Sequence, residues 1–353
     1  MVIIEKIDLI FFRCSIFATK LSINTAVEFL AFVLSWIITA NKMNKMKAIQ
    51  FEHYGEPSVL KINEIERPAL KSGEVLVQVK AFGINPIDWK LRSGVMQKFI
   101  PLDFPVTLGA EFSGIVSEIT GVNSKFKVGD QVYGRAQHSY AEYVAVDPSV
   151  ISIIPKFLSF AQAASLASGS QIAYSALVTL GNLQANQRVL IHAGAGGVGT
   201  AAIQIAKSIG AHVTTTASSH NFDLLQTLGA DDLIDYHHQV LSKNSENYDL
   251  ILDSVGGKTQ IDSWALLNPN GTLISLVSDE QQHRVTYEHT PDQRKFFFMR
   301  GVQGNPAPAV HQLIQAQKLK PVIDQVFDFD DVAAAHLKSQ SGHVSGKIVI
   351  VLT

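Results

Sequence analysis

The chain has 353 residues, a mass of 38.5 kDa and a formal charge of −2, and 46% of its residues are hydrophobic against 17% charged. This composition excludes a disordered chain, and the balance of 29 basic against 31 acidic residues leaves no basic excess for binding nucleic acid. The single cysteine, Cys14, excludes an internal disulfide and a cysteine-rich zinc site.

The first 45 residues differ from the rest of the chain. Residues 26–40 are almost continuously apolar, and three interpretations compete for residues 1–45. They are an upstream extension of the reading frame before Met43 or Met46, a signal or membrane anchor, and a packed element. We favour the extension and expect a cytoplasmic protein, with membrane association through residues 21–40 left open.

Residues 46–160 have the pattern of a small β-barrel or sandwich. Polar and apolar residues alternate over 47–51 and 75–81, as they do in half-buried strands. Frequent glycines and prolines divide the stretch into short segments, which is typical of all-β domains with tight turns.

From residue 161 onward the pattern changes to alternating helices and strands. An alanine-rich stretch over 161–180 predicts helix. Continuous apolar strands separated by helices then indicate an α/β domain with a doubly wound parallel sheet. Strands are predicted over 188–192, 212–217, 232–236, 248–253, 271–276 and 295–302, and helices over 199–210 and 221–228.

The C-terminal tail has no partner in that parallel sheet. Its pattern predicts a helix over 309–317, a short acidic and apolar segment, and a closing strand over 346–352. We therefore assign the tail to the first domain. The predicted domains are 46–167 with 305–353, and 168–304.

A glycine-rich loop lies between a predicted strand and a predicted helix, and it matches G-x-G-x-x-G. The first glycine allows the tight turn, the second lets the backbone approach a pyrophosphate, and the third lets helix and strand pack closely. Free N–H groups at a helix start attract phosphate. The pyrophosphate of a dinucleotide is therefore expected on Gly194, Ala195, Gly196, Gly197, Val198 and Gly199.

The second strand of this unit indicates which nicotinamide cofactor binds. A carboxylate about 20 residues past the loop would bind the 2′-hydroxyl of NAD, but residues 211–222 contain no acid. Small hydroxyls and an imidazole can donate to a 2′-phosphate instead. The sequence favours NADP(H), bound through Ser218, Ser219, His220 and Asn221, although the serines are equally suited to capping the next helix.

Several separate blocks resemble the zinc-free medium-chain dehydrogenase/reductase family, the quinone and enone reductases. Besides the glycine loop they are FGINPIDWK (82–90), FPVTLGAEFSG (104–114), VGDQVYG (128–134), YAEY (140–143), residues 228–236 and GHVSGKIV (342–349). The resemblance covers about residues 46–353. It implies a GroES-like β-barrel joined to a Rossmann domain, with a small-molecule substrate between them, and a homodimer.

The zinc alcohol dehydrogenases of the same superfamily carry Cys and His ligands where this chain has Asn85 and Ala110. A zinc ion stabilises the alkoxide in alcohol oxidation, whereas quinones and α,β-unsaturated carbonyls accept hydride directly. The missing ligands therefore favour reduction of such acceptors. His138, His192 and His220 lack the paired spacing of metal ligands and are interpreted as ordinary polar residues.

The resemblance also implies how the cofactor and substrate are held. The nicotinamide is expected over Asn85, and further cofactor contacts are expected from Tyr236, Ser254, Val255, Gly256, Leu276, Val277, Phe298 and Met299. We predict that Lys90 polarises the substrate oxygen and that Asp88 orients Lys90. The alternative is that Asp88 and Lys90 form a surface ion pair that holds a loop.

Different classes of function remain open at this stage. The chain is either an NADPH-dependent reductase of quinones or enones, or a non-catalytic NADPH-binding protein with a structural or sensor role. Cofactor binding alone does not distinguish them, because binding does not imply turnover. A zinc-dependent alcohol dehydrogenase is a weaker third option.

Overall fold

The computed structural model describes residues 44–121, 125–238, 247–278 and 293–352. The chain divides into two compact units, one of Met1–Met46 with Glu64–Arg67 and one of Lys47–Asn63 with Pro68–Thr353. Of the predicted leader, residues 1–43 lie outside the described residues, so its three interpretations stay predictions. Among the described residues, no helix is both long and apolar enough to cross a membrane.

A GroES-like β-barrel takes its strands from two parts of the chain. They are β1 (Lys45–Phe51), β2 (Lys61–Glu66), β3 (Val75–Ile84), β4 (Val106–Thr107), β5 (Phe112–Ile119), β6 (Gln131–Gly134), β7 (Tyr143–Val146), β8 (Ile151–Ile153), β15 (Ile323–Asp328) and β16 (Lys347–Val351). The larger sheet has the order β15-β16-β3-β5-β6-β8, with β7 beside β3, and the smaller has the order β2-β1-β4. Helix α1 (Pro86–Arg92) follows β3.

Strand β3 lies at the centre of the larger sheet, and its sequence suits that place. Val75, Val77, Val79 and Phe82 are all buried, so the strand supplies apolar side chains along its length. It pairs antiparallel with β5, β7 and the C-terminal strand β16. The tail therefore returns to the barrel, as its lack of a partner in the parallel sheet predicts.

The second sheet is parallel and has the Rossmann order. Its strands are β9 (Arg188–Ile191), β10 (His212–Ala217), β11 (Asp232–Asp235), β12 (Tyr248–Asp253), β13 (Leu267–Ser275) and β14 (Lys295–Phe298). They lie in the order β11-β10-β9-β12-β13-β14, and each neighbouring pair is parallel. This is the doubly wound arrangement in which the strand order reverses beside the first strand, and a ligand crevice opens there.

The helices are α2 (Phe160–Ser165), α3 (Gly169–Tyr174), α4 (Gly199–Ile209), α5 (Phe222–Thr227), α6 (Gly257–Trp264), α7 (Ala307–Gln315) and α8 (Val332–Gln340). The α/β fold with a GroES-like barrel and a Rossmann sheet is confirmed. The domain boundaries stay a prediction, because the larger barrel sheet and the parallel sheet lie within one compact unit.

Two segments differ from their sequence-based predictions. The stretch 161–180 is interrupted, because the backbone N–H of Ser168 donates to Glu111 Oε2 at 2.7 Å instead of continuing α2. It resumes as α3 and a π-helical turn, Ser175–Leu180. The acidic and apolar segment after α7 forms β15 and α8, which the short local pattern did not predict.

Candidate active site and cofactor cleft

The predicted cofactor residues lie at or just after the carboxyl ends of parallel strands. The glycine loop follows β9, residues 218–221 follow β10, Tyr236 follows β11, residues 254–256 follow β12, and residues 276–277 follow β13. In a parallel sheet these ends lie at one edge, where doubly wound folds bind their ligands. The topology therefore brings the separate sequence segments into one row.

The first and third glycines of the loop are required by the protein itself. A Cβ on Gly194 would collide with Thr215 Oγ1, and a Cβ on Gly199 would lie 2.6 Å from the Cα of Gly194. The turn is further closed by the N–H of Gly194, which donates to the carbonyl of Thr216 at 3.0 Å. These contacts pack β9, β10 and α4 together at the loop.

The middle glycine has room on its outer side. A Cβ on Gly196 would meet only the carbonyl oxygen of Ala193, at an ordinary 3.4 Å. No side chain caps the N-terminus of α4, and its first turn carries no acidic residue. An open cradle beside free helical N–H groups fits the pyrophosphate of a dinucleotide.

Hydroxyls and imidazoles gather where β10 and β11 end. Ser218 Oγ donates to the hydroxyl of Tyr236 at 2.9 Å and lies 3.3 Å from Nε2 of His237. Asn221 Oδ1 accepts from Ser345 Oγ at 2.7 Å, which ties this turn to the segment before β16. His220 stays exposed beside Asn221. The arrangement offers hydrogen-bond donors suited to a phosphate.

The turns after β12 and β13 are held by the buried carboxylate of Asp253. Its Oδ1 accepts from the N–H groups of Val255 and Gly256, at 2.9 and 2.8 Å. Ser254 Oγ and Ser278 Oγ are buried and have no hydrogen-bond partner among the described residues. Buried polar atoms normally have partners, so these two fit polar groups of a bound nicotinamide riboside.

The remaining predicted cofactor residues also lie at this edge. Val277 is exposed and Leu276 is half-buried beyond the end of β13. Phe298 ends β14, and the N–H of buried Met299 donates to the carbonyl of Ser275 at 2.9 Å.

On the barrel side, a buried ion pair holds Asn85. Lys347 Nζ lies 2.5 Å from Glu111 Oε1 and 2.7 Å from Asn85 Oδ1, and it also donates to the carbonyl of Ile84 at 3.3 Å. Asn85 Nδ2 donates to the same Glu111 oxygen at 3.1 Å. Lys347 is 5% exposed and Glu111 is fully buried. Both polar atoms of the Asn85 amide are thus fixed in direction.

Lys347 also joins this site to the phosphate loop. The N–H of Gly346 donates to the carbonyl of Ala195 at 2.7 Å. A Cβ on Gly197 would lie 2.6 Å from Lys347 Cδ, so the lysine stem packs directly on the loop. One residue of β16 therefore contacts the cofactor loop with its stem and the Asn85 amide with its ammonium group.

Asp88 does not orient Lys90. Its carboxylate is buried and accepts from the N–H of Asn85 at 2.7 Å, a bond that caps α1. It also accepts from the hydroxyl of Tyr140 at 2.9 Å. Burial raises the pKa of Asp88 to about 6, although these hydrogen bonds oppose the rise. The predicted Asp88–Lys90 contact and its surface ion-pair alternative are both wrong, because the Asp88 carboxylate is buried against Asn85 and Tyr140. Lys90 Nζ lies 5.8 Å from the ring centroid of Trp89.

Two family profiles match this chain: the alcohol dehydrogenase GroES-like domain over residues 71–157, and zinc-binding dehydrogenase over residues 228–350. A mitochondrial NAD(P)H oxidoreductase of Danio rerio, RTN4IP1, is 36% identical, and the alignment covers 90% of this chain and 94% of that protein. The chain belongs to the medium-chain dehydrogenase/reductase family. It lies in the zinc-free, quinone oxidoreductase-like branch and is an NAD(P)H-dependent oxidoreductase.

Other members of the family agree with this assignment. The quinone oxidoreductase of Coxiella burnetii superposes with a TM-score of 0.79 at 34% identity, covering 88% of this chain and all of that one. The chloroplastic NADPH-dependent alkenal/one oxidoreductase of Arabidopsis thaliana is 31% identical over 87% of this chain and 79% of its own length.

The histidines that the sequence analysis interprets as ordinary polar residues have hydrogen-bond partners nearby. His192 is buried, with Nδ1 3.1 Å from Thr216 Oγ1 and Nε2 2.8 Å from Ser263 Oγ. His138 Nδ1 lies 2.7 Å from the carbonyl of Thr107. Within the described ranges, no group of three His, Cys, Asp or Glu side chains is placed to hold a metal ion.

Sequence reasoning missed Lys347 and Glu111. Both lie in blocks that resemble the family, GHVSGKIV and GAEFSG, but more than 200 residues separate them. A lysine and a glutamate are ordinary surface residues, and only a lysine in an otherwise apolar strand (KIVIV) signals something unusual. The barrel's strand order then decides which carboxylate it meets.

Proposed function

We propose that this chain uses NADPH to reduce quinones or α,β-unsaturated carbonyls, without a metal ion. One observation carries the proposal: the Lys347 ammonium lies between Asn85 Oδ1 and Glu111 Oε1. Asn85 matches the position of a zinc-ligating cysteine in the zinc relatives. A cation already neutralises the carboxylate there, so the donor set suits an ammonium group rather than Zn²⁺.

The preference for NADP(H) rests on the group at the ends of β10 and β11. Ser218, Tyr236 and His237 offer hydroxyl and imidazole groups within hydrogen-bond distance of one another. The carboxylate of Asp235 accepts from the N–H of His237 at 3.0 Å, so it is engaged within its own turn. Donors without a competing free carboxylate favour a 2′-phosphate over a ribose hydroxyl.

Each residue has a distinct part in the proposed reduction. When bound, NADPH supplies the hydride. The glycine loop holds the pyrophosphate, and Asn85, fixed by Lys347 and Glu111, bounds the nicotinamide pocket. Asp88 caps α1 and so fixes the backbone at Asn85. Preorganised groups of this kind lower the barrier because they need no rearrangement during the reaction.

The proposal is tested by following NADPH oxidation with a panel of quinones and enones, with NADH and saturated ketones as comparisons. We expect turnover with the electron-poor acceptors, a lower KM for NADPH than for NADH, and no loss after metal chelation. A clear NADH preference would overturn the NADP(H) assignment. Saturable NADPH binding with no turnover of any acceptor would favour the sensor role.

Oligomeric state and location belong to the same proposal. Resemblance to the family implies a homodimer, which sedimentation analysis at micromolar concentration would test. The cytoplasmic location stays a prediction, and the Danio rerio relative is named as mitochondrial. Cell fractionation of the native protein, with sequencing of its N-terminus, would decide the location and the status of residues 1–45.

A role for Lys90 as a hydrogen-bond donor to the substrate also stays a prediction.

A further inference from the structure

Arg135 stands beside Glu111 at the end of two paired strands. Phe112 pairs with Gly134 in the antiparallel ladder of β5 and β6, so Glu111 and Arg135 are the next opposing residues. The N–H of Ala136 donates to the carbonyl of Ala110 at 3.3 Å and keeps these two segments together beyond the ladder. Opposing residues of an antiparallel pair project from the same face. Arg135 therefore projects from the face that carries Glu111.

The Arg135 guanidinium has no hydrogen bond or ion pair with any residue in the described part of the chain. The residue is half-buried, and burial lowers its pKa while the negative charge of Glu111 opposes that shift. A guanidinium carries five N–H donors and stays charged in proteins. Partly desolvated donors without partners are suited to an oxygen-bearing ligand.

The other charged groups around Glu111 are already engaged with one another. Lys347 uses its three donors on Glu111, Asn85 and the carbonyl of Ile84. Glu111 is occupied in turn, with Oε1 bound by Lys347 and Asn85 and Oε2 bound by the N–H of Ser168. The charge of Lys347 balances that of Glu111. The Asp88 carboxylate, which also interacts with Lys347 and Glu111, accepts from Asn85 and Tyr140. Arg135 is therefore the charged group beside Glu111 whose donors have no partner among the described residues.

We propose that Arg135 binds the oxygen atom of the acceptor and stabilises the negative charge that develops on it. This assignment rests on the proposed reductase function. Hydride from NADPH adds to the β-carbon of an enone, and the electron pair of the C=C bond moves to give an enolate oxygen beside Arg135. The α-carbon then takes a proton from water, and the products are NADP⁺, hydroxide and the saturated carbonyl compound. A quinone takes the hydride and becomes a hydroquinone monoanion, whose phenolate oxygen lies in the same place and then takes a proton from water.

Steady-state kinetics of R135M and R135K test the assignment. In R135M we expect kcat/KM for enones and quinones to fall at least tenfold, while the KM for NADPH stays within twofold of the wild type. R135K keeps the charge but loses the planar donor geometry, so it recovers part of the loss. In R135A, 10 mM guanidinium chloride should restore turnover, and urea or sodium chloride should not. K318M, an exposed lysine elsewhere, is the matched control.

A binding measurement separates this assignment from the proposed function. Calorimetric titration of the NADP⁺-loaded protein with p-nitrophenolate reports oxyanion binding without turnover. We expect R135M to bind this anion at least tenfold more weakly than the wild type does, with an unchanged melting temperature. Equal affinity together with unchanged acceptor kinetics would overturn the assignment. Loss of turnover in K90M but not in R135M would mean that Lys90, and not Arg135, stabilises the negative charge on the acceptor oxygen. If the wild type reduces no acceptor, the reductase proposal fails, and the titration still decides whether Arg135 binds an oxyanion.

Discussion

The two sides of the cleft consist of different kinds of chemical groups. The cofactor edge of the parallel sheet relies on backbone groups, glycines and small hydroxyls, and its middle glycine has open space beside it. The barrel side relies on buried charge, with Lys347 5% exposed, Asp88 2% exposed and Glu111 fully buried. The first side therefore depends on shape and the second on electrostatic balance.

This difference decides how each side responds to substitution. Filling space in a backbone-built loop blocks a ligand without necessarily unfolding the protein. Removing one member of a buried ion pair leaves an uncompensated charge in a poorly solvated place. This lowers the free energy of unfolding far more than removing both members does. The contrast makes opposite predictions for stability and for cofactor binding.

The largest expected effect is on the barrel side. K347M leaves the Glu111 carboxylate buried without its cation, so we expect the free energy of unfolding to fall by about 3–5 kcal/mol. Denaturant titration measures this. The double variant K347M/E111Q removes both charges and should recover most of the loss. If K347M alone is as stable as the wild type, the barrel side does not depend on charge balance.

Next in size is a loss of cofactor binding without a loss of stability. G196A adds a methyl group where the protein leaves room, so the fold should be retained while NADPH binds about a hundredfold more weakly, or roughly 2.7 kcal/mol. Fluorescence titration of NADPH and a melting curve measure the two quantities. G194A is the contrasting variant, because its Cβ collides with Thr215 and should destabilise the fold. Normal NADPH affinity in G196A would contradict the predicted approach of the pyrophosphate.

A third prediction concerns pH. His336 is buried against Tyr140, and burial lowers its pKa to about 3 from the ordinary 6.5. Protons then bind the unfolded chain and not the folded one, so stability is lost as pH falls through 6.5. Relative to H336Q, the wild type should lose about 2 kcal/mol between pH 7 and pH 5. His192, with its pKa near 4, acts in the same direction.

Asp88 acts in the opposite direction, because its pKa is raised to about 6 and stability is lost as pH rises towards that value. Comparing H336Q with the wild type cancels this contribution as well as that of His192. Chemical denaturation at four pH values between 5 and 7 measures the difference. Parallel stability profiles for the two proteins would show that His336 is protonated equally in the folded and unfolded states.

The smallest effect serves as the control for the ion pair of the barrel. Lys207 and Asp231 form a pair at 2.8 Å, with each side chain about a third exposed. Solvent screens such pairs, so K207M should cost no more than about 1 kcal/mol. Comparing the stability losses of K207M and K347M shows whether burial, rather than pairing alone, sets the contribution of an ion pair. A loss equal to that of K347M would mean that burial does not set the difference.

The sequence by itself determined the parallel sheet, the glycine loop and the positions of the cofactor segments. These depend on local patterns, in which apolar strands alternate with helices and a loop of fixed spacing joins β9 to α4. The turns after β10, β11 and β12 follow, because parallel strands end at one edge. A single stretch of chain carries each signal, so no knowledge of distant contacts is needed.

Only the tertiary structure decided the charged side of the cleft. Lys347, Glu111 and Asn85 come from three strands or strand ends that are distant in the chain, and the order β16-β3-β5 brings them together. Asp88 and Lys90 are close in sequence, yet the capping of α1 turns the Asp88 carboxylate inward to Asn85 and Tyr140. The proposed role of Arg135 likewise depends on the strand register that places it opposite Glu111. Electrostatic partners depend on which strands lie side by side, and the identity of the residues does not reveal that.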